Sequence, residues 1–174
     1  MIGQLRRDAT ELRRVLATVE RNPPSVLRMV LVYDSFAVTT LTRARELARR
    51  TRVLVGMNRL LRLVQLSVYG IEISKDVTLG DGVYFAYPMG IVVAGDSRIG
   101  DRVRFMGSNT VGTTDLDDGY PIVEDDVVLN AGARVLGPVR VGARTVIAPN
   151  AVVVTDLPPD SFARGDPARP VTRQ

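Results

Sequence analysis

From Ile73 onward a bulky apolar side chain returns every six residues, and few folds accommodate that spacing. The series runs Ile73, Leu79, Phe85 and Ile91, slips by two residues, and continues through Val93, Ile99, Phe105 and Val111. After an interruption it resumes in phase at Val123, Leu129, Val135, Val141, Ile147 and Val153. A helix repeats at about 3.6 residues and a strand at 2, so a step of six belongs to neither alone. It describes a short strand followed by a turn, repeated, each repeat carrying the chain round one corner of a coil. Four residues after most anchors stands a small or β-branched residue: Val77, Val83, Val103, Val127, Ala133, Val139, Thr145 and Ala151. Gly80, Gly100, Gly132, Gly137 and Gly142 fall in the turns, where a missing Cβ relieves crowding.

The first third of the chain has a different period. Residues 4–21 place Leu5, Leu12, Leu16 and Val19 on one helical stripe, and "NPPS" (22–25) ends it with Ser25 as a cap for the next helix. Further helices are expected over 26–33, over about 36–52 with Leu41, Ala44, Leu47 and Ala48 on one side, and over Val53 to Val68. This last stretch carries Arg59 and Arg62, and its apolar surface predicts packing on the rest of the protein or on a second subunit. Residues 1–70 hold a balance of +8 and residues 71–174 a balance of −4. An Arg-rich arm is compatible with nucleic acid or an anionic membrane, but these arginines lack interleaved aromatics, and a solvated helical face is expected.

Residues that are missing exclude chemistry. With 174 residues, no cysteine and no histidine, the chain has no disulfide, no thiolate nucleophile, no imidazole base and no ordinary zinc set. No run reaches the roughly 18 apolar residues of a membrane span, and the charged start is unlike a secretory signal. No nucleic acid, no membrane span, no bound metal and a cytoplasmic location are the expectations.

The repeat "VGARTVIAPNAV" (141–152) resembles the hexapeptide repeat of left-handed parallel β-helix acyltransferases. That resemblance implies a mainly β fold, with an α-helical N-terminal region over 1–70 and a left-handed β-helix with a C-terminal tail over 71–174. Three repeats would make one triangular coil, with successive coils about 4.8 Å apart. Four segments are similar to the serine acetyltransferase branch. They are "IEIS" (71–74), "YPMGIVV" (87–93), "SNTVG" (108–112) leading to "YPIV" (120–123), and "VVVTDLPPDSFARGDPARPV" (152–171). β-Helix carbonic anhydrases need three histidines and are excluded.

What this resemblance implies is an O-acyltransferase that uses acetyl-CoA, or another acyl-CoA, as co-substrate rather than a permanent cofactor. The groove would lie between neighbouring chains of a homotrimer, with trimers able to pair through the N-terminal helices. Tyr87 stands where the branch has its catalytic histidine, Glu72 at that histidine's acidic partner, and Tyr120 where many members have a second histidine. Gly112, Ala131 and the tail residues Gly165, Pro167, Ala168 and Arg169 match positions lining the CoA groove. Ala86 replaces an acidic substrate contact, which counts against serine itself as the acceptor, and Gly119 lacks the basic side chain that often precedes the second histidine. The excursion "TTDLDDGYP" (113–121) offers Asp115, Asp117 and Asp118 as contacts for a cationic acceptor, or is a plain acidic surface loop.

A free phenol ionises near pH 10, so Tyr87 cannot simply inherit the role of an imidazole. Three alternatives stand open for it. It serves as a base whose phenolate is stabilised, as a hydrogen-bond donor that holds the acceptor, or as a packing residue. In the last case the chain is a catalytically inactive homologue serving as a binding or scaffold partner.

Overall fold

In the computed structural model, residues 2–16, 34–50, 55–113 and 119–171 are described. Three helices, α1 (Ile2–Leu16), α2 (Asp34–Arg50) and α3 (Val55–Tyr69), precede fifteen short strands, β1 (Glu72–Ile73) to β15 (Ala168–Val171). The helix expected over 26–33, the Ser25 cap and Val19 lie outside the described residues. The strands form three sheets in the orders β1-β4-β7-β10-β13, β2-β5-β8-β11 and β3-β6-β9-β12-β14-β15. Each strand pairs in parallel with the one three places on, except that β14 continues from β12 and β15 returns antiparallel. This is a left-handed parallel β-helix of about four turns.

Register explains why the six-residue anchors work. Ile73, Val93, Val111, Val135 and Val153 lie on successive rungs of the first sheet, all within 4% of full burial. Most of the strands are two residues long, so one side chain points inward and its neighbour outward. Leu129 and Ile147 follow Phe105 in the third sheet, and the Phe85 and Phe105 rings stack at 5.2 Å with an interplanar angle of 19°. One anchor is corrected. Ile91 is buried but is not in line with the others, because the anchor of its coil is Val93, paired with Ile73. The corner at 86–91 holds the extra two residues, and Ile91 occupies the inward place just before the strand, as Ile71 does in the previous coil. At Gly142 the turn runs so close to the Pro158–Pro159 backbone that an added Cβ would overlap it.

A β-helix has an open first coil, whose carbonyls lack a preceding rung to bond. Here α2 covers it with arginines. Arg43 donates to the carbonyls of Leu79 (3.1 Å) and Gly80 and pairs with Asp8 of α1 (3.0 Å), both side chains being buried. Asp8 also accepts the Gly82 N–H at 2.6 Å. Arg45 donates to the Ile73 carbonyl (3.1 Å) and to Gln65 of α3, and Gln65 donates to Thr42 at 2.8 Å. Burial disfavours the Arg43 cation, but its bond to Asp8 and the Asp8 charge outweigh that, so its pKa stands above the ordinary value.

This docking overturns the expected face of α2. Leu41 and Ala44 are half-buried and Leu47 is exposed, while Phe36, Val38, Thr39, Thr42, Arg43 and Arg45 are buried. Orphaned carbonyls at the coil end require donors, and arginines supply them where leucines cannot. Helix α3 touches the rest through Asn58, Leu61, Gln65 and Tyr69, leaving Leu60, Leu63, Leu66 and Val68 exposed. Among the described residues, no helix is long and apolar enough to cross a membrane.

Candidate functional site

The corners of the coils, rather than their faces, carry the candidate residues. Tyr87 lies at the corner between β3 and β4, 68% exposed, with its carbonyl accepting the Met89 N–H at 2.8 Å. Among the described residues its hydroxyl has no hydrogen-bond partner. One coil below, Gly107 passes so near that an added Cβ would stand 3.0 Å from the Tyr87 carbonyl oxygen and 3.2 Å from its Cβ. The same edge continues downward: Gly132 N–H bonds the Gly107 carbonyl and Asn150 N–H bonds the Ala131 carbonyl, both at 2.9 Å. It ends at the β14–β15 hairpin, where Gly165 pairs with Ala168 and Arg164 with Arg169 across a turn with a cis Asp166–Pro167 bond. Thus Tyr87, Ala131 and Gly165, Pro167, Ala168 and Arg169 share one edge of the column. Arg169 is exposed and Ala168 is buried.

Gly112 and Tyr120 stand on a different edge. Gly112 ends β7 and is buried, and an added Cβ there would lie 3.1 Å from the Cβ of Ala94. Its carbonyl accepts the Gly137 N–H at 2.9 Å. Tyr120 is half-buried at the other end of the excursion, with its ring directly over Gly95. The first sheet separates the two edges, and its outward residues are Glu72, Val92, Thr110, Arg134 and Val152. Asp115, Asp117 and Asp118 lie outside the described residues. Ala86 is half-buried just after β3, its N–H bonding the Phe105 carbonyl at 2.8 Å.

Glu72 has a partner that the sequence reading did not assign. Its carboxylate accepts from Arg62 Nε of α3 at 2.9 and 3.2 Å. That hydrogen bond first, and the Glu72 charge second, hold the Arg62 guanidinium above its ordinary pKa. The signal was present in outline: an arginine interrupting an apolar helix ten residues before a lone glutamate. One edge therefore presents an exposed phenol, the face of the first sheet an ion pair, and the other edge a glycine-lined corner under a second phenol.

Comparison with known proteins places this arrangement. The family model described as bacterial transferase hexapeptide (six repeats) matches residues 120–155. A serine acetyltransferase of Bacillus pumilus is 30% identical over 151 residues, covering 86% of this chain and 69% of that protein. The soybean serine acetyltransferase structure complexed with serine superposes with a TM-score of 0.83 at 27% identity, covering 97% of this chain and 70% of that one. A serine acetyltransferase structure in complex with CoA gives a TM-score of 0.84 at 27% identity, with coverage of 98% and 69%. Measured against three further curated relatives, the chain spans 39%, 63% and 64% of their lengths. On the sequence match to the Bacillus protein and the shared column of hexapeptide coils, the chain belongs to the serine acetyltransferase family.

Proposed function

We propose that this protein transfers an acetyl group from acetyl-CoA to the hydroxyl of a small polar acceptor, and that it works in the cytoplasm as a trimer. The observation that supports this reading is the division of family-matching positions between two edges of one sheet. A ring of three copies sets unlike surfaces of neighbours against each other. Tyr87, Ala131 and the 165–169 hairpin of one copy then face Gly112 and Tyr120 of the next. The solved relatives bound to serine and to CoA support the two ligand classes.

In the reaction the acceptor oxygen attacks the thioester carbonyl carbon. A C–O bond forms, the C–S bond breaks, and the acceptor's proton ends on the CoA thiol. Tyr87 would hydrogen-bond the acceptor hydroxyl and pass its proton on, with Glu72, held by Arg62, at the position of the acidic partner. Close approach of the backbone at Gly112 would steady the developing oxyanion. Ala131 and the hairpin carry the pantetheine and phosphate end, with Arg169 as the exposed cation. Serine is the first acceptor to try, since relatives are serine acetyltransferases, although Ala86 and Gly119 supply neither charge that a zwitterion would pair with.

The test is release of free thiol from acetyl-CoA with L-serine and a panel of other small alcohols. Tyr87→Phe should lower kcat by about 10²-fold, a typical loss for a proton-handling group. No thiol above buffer across the panel would overturn the proposal. The Arg62–Glu72 pair favours a second reading, a non-catalytic binding partner, because a guanidinium takes up the carboxylate. Activity gained by Tyr87→His in an otherwise silent protein would support that alternative.

A further inference from the structure

Gly95 is glycine for a reason its backbone does not supply. It turns the corner after β4 with φ of 60°. That conformation alone does not call for glycine in this molecule. Arg102, Ser108, Asp126, Arg144, Asn150 and Asp160 all hold φ between 52° and 59° with full side chains. What distinguishes Gly95 is the space above it. A Cβ built there would overlap Cε1, Cζ and Cδ1 of the Tyr120 ring. Gly137, at the equivalent corner after β10 with φ of 88°, has nothing within 4 Å of an added Cβ. Of these two equivalent corners, only the one beneath Tyr120 is crowded.

The backbone on either side of that ring is fixed. Arg98 N–H bonds the Pro121 carbonyl at 3.0 Å, which pins the chain just after Tyr120. Ala94, next to Gly95, packs against Gly112. We propose that Gly95 is a positioning residue: it leaves the seat in which the Tyr120 ring lies, and so sets where the phenol hydroxyl stands at the acceptor end of the slot. The role in acceptor placement rests on the acyl-transfer reading above; the ring seat does not. A side chain at 95 would displace the phenol without touching the edge that bears Tyr87, Ala131 and the 165–169 hairpin, which lies across the first sheet.

Two measurements on the full chain test this. In thermal melting, Gly95→Asn (asparagine tolerates the left-handed conformation) is compared alone, in a Tyr120→Ala background, and beside Gly137→Asn. Residues in contact couple and independent ones add. The Tm loss from Gly95→Asn should shrink to less than about half in the Tyr120→Ala background, whereas Gly137→Asn should lose the same in both. Additive losses at Gly95 would overturn the seat. In the thiol-release assay with acetyl-CoA and L-serine, Gly95→Asn should lower kcat/KM for serine about 10²-fold, the order expected of a 1 Å misplacement, with KM for acetyl-CoA held within about twofold. An equal loss toward both substrates, or no loss, would overturn the positioning role even where melting shows coupling. A wild type that releases no thiol would sink the acyl-transfer reading and the acceptor role with it, leaving the seat to be judged by melting.

Discussion

The helical arm and the coiled column are held by opposite means. In the column, aliphatic side chains stack on the axis, rung upon rung, and burial of each is shared with neighbours above and below. In the arm, the decisive contacts are two buried arginines, an aspartate and a glutamine that satisfy one another and the open carbonyls of the first coil. Apolar burial is roughly additive and forgiving, so the column tolerates loss of a methyl here or there. A buried ionic network is not forgiving, because removing one member strands the others without water or partner. The arm should therefore release as a unit, and the column should lose stability by degrees.

The comparison breaks most visibly at Arg43. Arg43→Met leaves Asp8 buried and unpaired, and should cost about 3–5 kcal/mol of arm docking. Limited proteolysis should then cut within α1 or α2 while the column resists, and equal resistance of both would refute the contrast. Next in size, Leu129→Ala in the column should cost about 2–4 kcal/mol, with strand and helix signals melting together. A selective early loss of the helices would contradict this, since Leu129 sits far from the arm.

Smaller effects should appear at the charged corner between the second and third sheets. Hydrogen bonds from Arg102 hold the Asp126 carboxyl below its usual range, and those from Arg140 and the Ala143 N–H do the same for Glu124. A depressed carboxylate pKa stabilises above the unfolded value, near 4, and that contribution fades as pH falls through the folded value. Between about pH 6 and 3, Tm of the wild type should fall more steeply than that of Asp126→Asn; parallel curves would discount the pairing. Least of all, Arg62→Ala should shift stability by no more than about 1 kcal/mol, because its pair with Glu72 is largely solvent-exposed. A loss as large as that at Arg43 would mean that α3 too is held mainly by charge.

This contrast also explains what could be read from the residues in advance. In the column, a two-residue strand fixes inside and outside by alternation, so Ile99, Val123 and Val141 declare their burial through spacing alone. Ile91 misled because a corner with two extra residues keeps a six-residue step while shifting the anchor to Val93. In the arm, the buried charged and amide side chains are Arg43, Arg45, Asp8 and Gln65, and the burial of the two arginines follows from carbonyls that only the assembled coil presents. Leu41, Ala44 and Leu47 form the better helical stripe, yet they do not face those carbonyls. At the site, the matching segments marked Tyr87, Gly112 and Tyr120, but not that these stand on two edges of one sheet. Gly95 could not be singled out, because a glycine in a turn looks ordinary until a ring is seen above it.

Strands stacked along one axis leave a bare hydrogen-bonding rim at each end, and such rims invite a second molecule to continue the pile. Here Arg43 and Arg45 plug carbonyls of the upper rim, and at the foot β15 runs backward along β14 with Pro170, which has no N–H, on its exposed side. Both ends thus carry groups that oppose end-to-end continuation of the strand stack.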